Sequence, residues 1–180
     1  MSTEAILQAL NERGVRYVVI GGVAAVAHGS AYLTEDTDIC YQPTPENRER
    51  LARYLADLHA WLRGGGPELP FVLDARTLRD SPVLTLVTDE GRFDVMDRVQ
   101  GIGEYADVEA VSQEMIVFGV PTRVLSVGAL IASKRATRRL RDEAVAIELE
   151  ALYAKLHGRE PPRVKEAPRR PRRSGRRGRA

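Results

Sequence analysis

Three aspartates stand out in this 180-residue chain as groups able to do chemistry: Asp36 and Asp38, one residue apart, and Asp94 more than fifty residues downstream. On an extended strand, side chains at i and i+2 point the same way, roughly 6.6 Å apart. Two carboxylates that close repel each other, and one tends to keep its proton unless a cation lies between them. Mg²⁺ removes the conflict, because it prefers carboxylate oxygens and shares them with substrate phosphates. In Arg92-Phe93-Asp94-Val95-Met96, Asp94 alternates against Phe93 and Val95. If that strand lies beside the strand of Asp36 and Asp38, three carboxylates converge. Two ions roughly 3.5–4 Å apart would then stabilise both the attacking and the leaving oxygen of an in-line displacement.

The second chemical feature is Gly21-Gly22, between the apolar run Val15–Ile20 and the small apolar residues Val23–Ala27. A strand, two glycines and a helix leave free backbone N–H groups at a helix N-terminus, which suits phosphate, and glycine lets an anion approach the backbone. No Gly-Lys-Ser/Thr follows, so this is not a Walker loop, and it is not GxGxxG. A lone Asp-x-Asp is commonly a solvated face, and a lone Gly-Gly is an ordinary turn. In this order, with a third strand aspartate, they point to an anion site beside a metal site.

The elements that must position these groups are legible from periodicity. Ser2 or Thr3 caps a first helix carrying Ile6, Leu7 and Leu10, and Gly14 stops it. Val15–Ile20 reads as a central buried strand, Val23–Ala27 as a short helix, Gly29–Thr34 as a turn and Asp36–Tyr41 as the next strand. Thr44 and Pro45 open a helix expected to run to about Leu62, with Leu51, Leu55, Leu58 and Leu62 as its stripe and Trp61 packed on the domain. Phe71–Asp80 is ambiguous. Val83–Thr88 and Arg92–Met96 form a hairpin about Asp89-Glu90-Gly91. Loop and short helix follow over Gly101–Ala110, then short extended pieces at Ile116–Phe118 and Pro121–Leu125. Helices close the pattern, one from Ser126 to about Thr137 and one from about Arg141 to Leu156. The tight hairpin joins antiparallel strands, so the expectation is an α/β (α+β) fold with a mixed sheet flanked by helices, not a doubly wound one.

Bulk properties narrow the class. Apolar content of 43% and charged content of 29% are those of a globular domain, and no apolar run approaches the roughly 18 residues of a membrane span. The acidic start MSTEAILQALNERG lacks the layout of a secretory signal, and Cys40 is the single cysteine, so the expected compartment is the cytoplasm and no membrane is involved. The net charge of +2 conceals an asymmetry: residues 158–180 hold ten Lys/Arg against two Asp/Glu, leaving 17 basic and 23 acidic residues elsewhere. The expected division is a folded domain over 1–157 and a disordered Arg/Pro-rich tail over 158–180. The tail suits RNA phosphates, an acidic partner or mere solubility.

The remaining candidates have plainer readings. His28 ends an apolar helix and suits a structural hydrogen bond or a brace for the Asp36 loop. Asp97 is structural, His59 and His157 are surface residues, and Asp142 pairs with one of Arg138, Arg139 and Arg141. Lys134 sits in a basic helix where a solvated role competes with a functional one.

Gly21-Gly22, His28-Gly29, Thr34-x-Asp36-x-Asp38 and Phe93-Asp94-Val95, with SVGALIASKRATRRLRDEAVAIEL, resemble the nucleotidyltransferase superfamily of the DNA polymerase β type. Among its members the pattern is most similar to small bacterial AbiEii/MNT-like proteins of toxin–antitoxin or defence systems. The resemblance spans about residues 5–156. It implies an Mg²⁺-dependent enzyme, with two ions, that moves NMP from an NTP such as ATP to an acceptor hydroxyl and releases pyrophosphate. By that resemblance Asp36, Asp38 and Asp94 hold metal, and Asp94 aids deprotonation of the acceptor. Gly21, Gly22 and Lys134 meet the triphosphate, and Thr34 supports the metal loop. The implied acceptor is the 3′ end of a tRNA or other RNA, a cognate toxin or antitoxin protein, or a small molecule such as an aminoglycoside. Two departures stand: Tyr32 where the family often has Arg, and Thr37 where the residue between the first two acids is usually apolar. The alternative is a non-catalytic nucleotide- or partner-binding module that keeps the fold.

Overall fold

Alternating β-branched and apolar residues fold into a seven-stranded mixed sheet in a computed structural model that describes residues 3–31, 34–66, 71–137 and 140–161. Ser2, Tyr32, Arg138, Arg139 and the tail from 162 lie outside the described residues, as do the side chains of residues 140 and 141. The chain runs α1 (Thr3–Glu12), β1 (Tyr17–Ile20), α2 (Gly21–Ala27), β2 (Asp36–Tyr41), α3 (Pro45–Asp57), β3 (Trp61–Leu62), α4 (Ala75–Asp80), β4 (Val83–Thr88) and β5 (Gly91–Met96). A small hairpin, β6 (Arg98–Val99) and β7 (Gly103–Glu104), leads into α5 (Tyr105–Ala110). Then come β8 (Ser112–Val117), β9 (Val120–Leu125), α6 (Val127–Thr137) and α7 (Leu140–His157).

The sheet order is β3-β4-β5-β2-β1-β9-β8. β1 is antiparallel to β2 and parallel to β9, β2 is parallel to β5, and the β4–β5 and β8–β9 pairs are antiparallel hairpins. All four residues of β1 are buried, as its unbroken apolar run requires for a strand covered on both faces. In β2 the core side carries Thr37, Ile39 and Tyr41, each buried, while Asp36 and Asp38 face the other way. The core joins Ile6, Leu7 and Leu10 of α1 to the sheet residues Val18, Ile39, Leu86 and Phe93 and to Leu51 and Leu55 of α3. Among the described residues, no helix is long and apolar enough to cross a membrane.

One expectation from periodicity fails here. The Leu stripe predicts a helix to Leu62, but α3 stops at Asp57: His59 adopts a left-handed φ of 48°, and Trp61 and Leu62 pair with Val87 and Leu86 as an edge strand. Leu51, Leu55 and Leu58 are buried and Leu62 is not, so the helical spacing of leucines runs past the end of the helix by coincidence. Trp61 therefore lies on a strand, not on a helix. The two short extended pieces near 116 and 121 are strands of one hairpin, each six residues long, closed by Phe118 at φ 50° and Gly119 at φ 83°, the left-handed pair that a two-residue turn needs. The ambiguous segment contains α4, capped by the Asp74 carboxylate on the Thr77 N–H at 2.7 Å.

At the start of α3, Thr44 caps the Asn47 N–H at 3.3 Å. The Asn47 side chain does not close a capping box. Buried, it accepts from the Arg16 N–H at 2.8 Å and donates to the carbonyls of Arg16 and Gln42 at 2.9 and 2.8 Å, tying α3 to the edges of β1 and β2. Asn47→Ala strands those backbone groups and should lower stability by about 2–4 kcal/mol, whereas Thr44→Ala removes one cap and should cost about 1 kcal/mol. Urea unfolding midpoints of the two variants check the order, with unchanged denaturant slopes.

Candidate functional site: an acid cluster at the centre of the sheet

The pairing of β2 with β5 sets Asp38 opposite Asp94 and Asp36 opposite Arg92. The adjacent-strand condition raised by the sequence is therefore met, and by a parallel pair. The same register continues sideways. Ile20 is opposite Asp38 on one side, and Thr85 is opposite Asp94 on the other. Beyond Thr85 comes Arg63, whose N–H donates to the Thr85 carbonyl at 2.9 Å just past the Leu62–Leu86 pair. Four strands and the residue just past β3 thus make one lateral row, Ile20, Asp38, Asp94, Thr85 and Arg63.

Arg63 directly follows the expected end of the helix at Leu62, and sequence reasoning did not single it out. Its guanidinium crosses the row: Nη1 donates to Asp36 Oδ2 at 3.1 Å and Nη2 to Asp94 Oδ1 at 2.5 Å. Arg92 adds a looser contact to Asp36 Oδ1 at 3.5 Å and to Glu35 at 3.4 Å. The signal that could have exposed Arg63 is the pair Trp61-Leu62, an aromatic and an apolar residue before three glycines, which also suits a short edge strand.

Gly21 and Gly22 are the first residues of α2, and both are required by close approach. Gly21 has φ +63°, and a Cβ there would collide with the Asp38 carboxylate; a Cβ on Gly22 would fall 2.6 Å from the Thr34 side chain. The Gly22 N–H donates to Asp38. Thr34 folds over this turn, its hydroxyl donating to the Asp36 carbonyl at 3.1 Å and accepting from the Asp36 N–H at 3.3 Å. Lys134, near the end of α6, meets buried Asp142 at 2.9 Å, and Thr137 donates to the other Asp142 oxygen at 2.6 Å. Asp142 thus pairs with Lys134 among the groups described. Lys134 is close enough to Asp38 for its charge to favour the ionised carboxylate.

Electrostatics follow from crowding. Burial, then the charges of Asp94 and Asp36, push the Asp38 carboxyl up to about 7, against the smaller opposing effects of Lys134 and the Gly22 N–H. Burial also raises Asp94, and Arg63 pulls it back. Three carboxylates rich in negative charge and short of positive charge are the donor set a hard dication takes. Among the described residues, no group of three acids, histidines or cysteines yet converges closely enough to hold one ion. Arg63 instead spans two of the three. The residue types fit Mg²⁺, with Arg63 as a monovalent cation on the same oxygens.

The remaining candidates lie apart from the cluster. His28 Nε2 meets the Leu125 carbonyl at 2.9 Å, tying α2 to β9, and burial lowers its pKa toward the neutral ring. It lines a cavity of about 880 Å³ with Ile102, Met115, Val127 and Tyr153, at the ends of α2 and α6 away from the acids. Asp97 pairs with Arg98 at 2.8 Å, His59 with Asp89 at 2.6 Å, and His157 stacks on Tyr153. Burial pushes the Cys40 thiol up to about 12, which leaves it unreactive near neutrality.

The raised Asp38 carboxyl has a measurable consequence. A folded-state pKa above the unfolded value of 3.8 means the folded protein binds more protons than the unfolded chain between the two. Stability therefore falls as pH rises from about 4 to about 7 in metal-free protein. Asp38→Asn should flatten that fall, as read by urea unfolding across the same pH range in the presence of a chelator.

No protein-family model matches the chain, and no curated protein matches it. Solved structures do. The chain is similar to the lincosamide antibiotic adenylyltransferase LnuA bound to lincomycin, at 14% identity and TM-score 0.56, over 83% of this chain and 94% of that one. It is similar to the antibiotic-resistance factor ANT(2'')-Ia in complex with adenylyl-2''-tobramycin, at 17% identity and TM-score 0.53, over 86% and 87% of the two chains. An antigenic nucleotidyltransferase-like protein from Paracoccidioides brasiliensis matches at 15% identity and TM-score 0.52, over 84% and 73%. The fold of this chain is that of the nucleotidyltransferases, a mixed α/β sheet flanked by helices.

Proposed function

We propose that this protein is an Mg²⁺-dependent nucleotidyltransferase, moving NMP from an NTP to an acceptor hydroxyl. The observation that supports it most is the juxtaposition of Asp38 and Asp94 on neighbouring central strands, with Asp36 two residues along and Gly21-Gly22 at the end of the adjoining strand. In this reading Asp36, Asp38 and Asp94 hold the metal, which when bound neutralises the carboxylates and draws charge from the phosphates. Asp94, its pKa raised by burial, takes the proton of the acceptor hydroxyl. The hydroxyl oxygen bonds to the α-phosphorus, and the bond to the β-phosphate oxygen breaks as pyrophosphate leaves. Lys134, steadied by Asp142, and the Gly21-Gly22 turn face the β- and γ-phosphates, while Thr34 keeps the turn in shape. This is catalysis by positioning and electrostatic stabilisation.

The acceptor in this reading is an RNA or tRNA 3′ end, a cognate protein of a toxin–antitoxin or defence pair of the AbiEii/MNT-like kind, or a small polyhydroxylated molecule. The fold neighbours bound to lincomycin and adenylyl-tobramycin are the reason to include antibiotics in the test. The expected compartment is the cytoplasm, and the domain is expected to end near residue 157, before the basic tail. A second reading, a nucleotide- or partner-binding module without catalysis, draws support from Arg63, which ties up two of the three acids.

Incubation with each α-³²P-labelled NTP, Mg²⁺ and pools of RNA, protein and aminoglycoside or lincosamide acceptors separates the two. Label transfer should occur with at least one pool, fall by at least a hundredfold in Asp38→Asn and in Asp94→Asn, and stop with chelator. NTP binding without transfer to any pool supports the module instead.

A further inference from the structure

Arg63 does more than neutralise charge in passing. Its fork reaches from an edge strand across Thr85 to two carboxylates on different strands, at 3.1 Å to Asp36 and 2.5 Å to Asp94. Its Nε is buried and has no hydrogen-bond partner, so the side chain is aimed by the two ion pairs and not by a full set of local bonds. The backbone beneath it is anchored by the Thr85 carbonyl, a two-residue strand and a bridge to Gly65, and it leads into Gly64, Gly65 and Gly66, with Gly64 at φ 92°. The side chain is about one-third exposed, at 32%, so it has a route to solvent.

A dication on Asp36 and Asp94 and a guanidinium on the same oxygens exclude each other, both by occupancy and by like charge. We propose, resting on the metal-dependent reading above, that Arg63 is an internal counter-cation that competes with divalent metal for Asp36 and Asp94. It is a positioning residue: it holds the acids in the metal-free protein and must leave before metal can bind. The strength of its two ion pairs is then subtracted from the affinity for metal, so the free protein takes up metal weakly. Once displaced, the guanidinium presents the planar fork that suits phosphate oxygens.

The test is Mn²⁺ binding to the full chain, measured from the EPR signal of free Mn²⁺, for wild type, Arg63→Met and Arg63→Lys. Arg63→Met should bind Mn²⁺ at least tenfold more tightly than wild type, with Arg63→Lys between the two, because a lysine ammonium cannot span both acids. Equal affinities, or weaker binding by Arg63→Met, overturn the competition while leaving the metal site standing. No saturable binding by any of the three overturns the metal site and the competition together. The wild-type protein gives a reading that does not depend on a variant folding. Arginine side-chain ¹⁵N spectra should show one guanidinium with hindered rotation that becomes free on Mg²⁺ titration. A guanidinium that remains hindered at saturating Mg²⁺ overturns the proposal.

Discussion

Negative charge held at the middle of a sheet is the constraint on which the rest of this structure depends. Parallel pairing of β2 with β5 brings Asp38 and Asp94 side by side, and the strand period adds Asp36 on the same face. Sheet geometry leaves these carboxylates no means of separating, and burial of Asp38 and Asp94 limits their screening by water. The surroundings respond with positive charge and backbone donors: Arg63 across Asp36 and Asp94, Arg92 at the rim, Lys134 near Asp38 and the Gly22 N–H on Asp38. The Asp38 carboxyl still sits at about 7.

The same crowding explains the glycines. Gly21 follows Ile20, the register partner of Asp38, so the chain turns into α2 directly against the Asp38 carboxylate, where a Cβ has no room. Gly22 is confined in the same way by Thr34. Glycine turn and acid pair are therefore one packed unit, and Thr34 is the side chain that locks them through both its closeness to Gly22 and its bonds to the Asp36 backbone.

What could be read from the sequence was what is encoded locally. The buried run before Gly21, the alternation that separates Asp36 and Asp38 from Thr37 and Ile39, and the Asp89-Glu90 hairpin that returns Asp94 all depend on neighbours a few residues away. Those features carried the mixed sheet and the grouping of the three acids. Arg63 could not be read that way, because its place is set by a row running across four strands to the end of β3, each supplied by a different part of the chain. The error at α3 has the same origin. Leu58 and Leu62 continue a helical stripe, yet pairing with β4 and the left-handed His59 override it, and a helix through Leu62 would hide the edge strand that delivers Arg63. The β8–β9 hairpin was seen as two fragments because its turn, Phe118-Gly119, lacks the Asn-Gly or Asp-Gly signature.

The central proposal is that Asp36, Asp38 and Asp94 draw together around a divalent metal in competition with Arg63, which bridges Asp36 and Asp94. Its most direct test is a crystal structure of the protein soaked with Mn²⁺ and a non-hydrolysable NTP analogue, with anomalous scattering used to locate the metal. The account predicts an anomalous peak coordinated by these three carboxylates, with Arg63 withdrawn from Asp36 and Asp94. A peak elsewhere, or no peak and Arg63 still spanning the two acids, would contradict it.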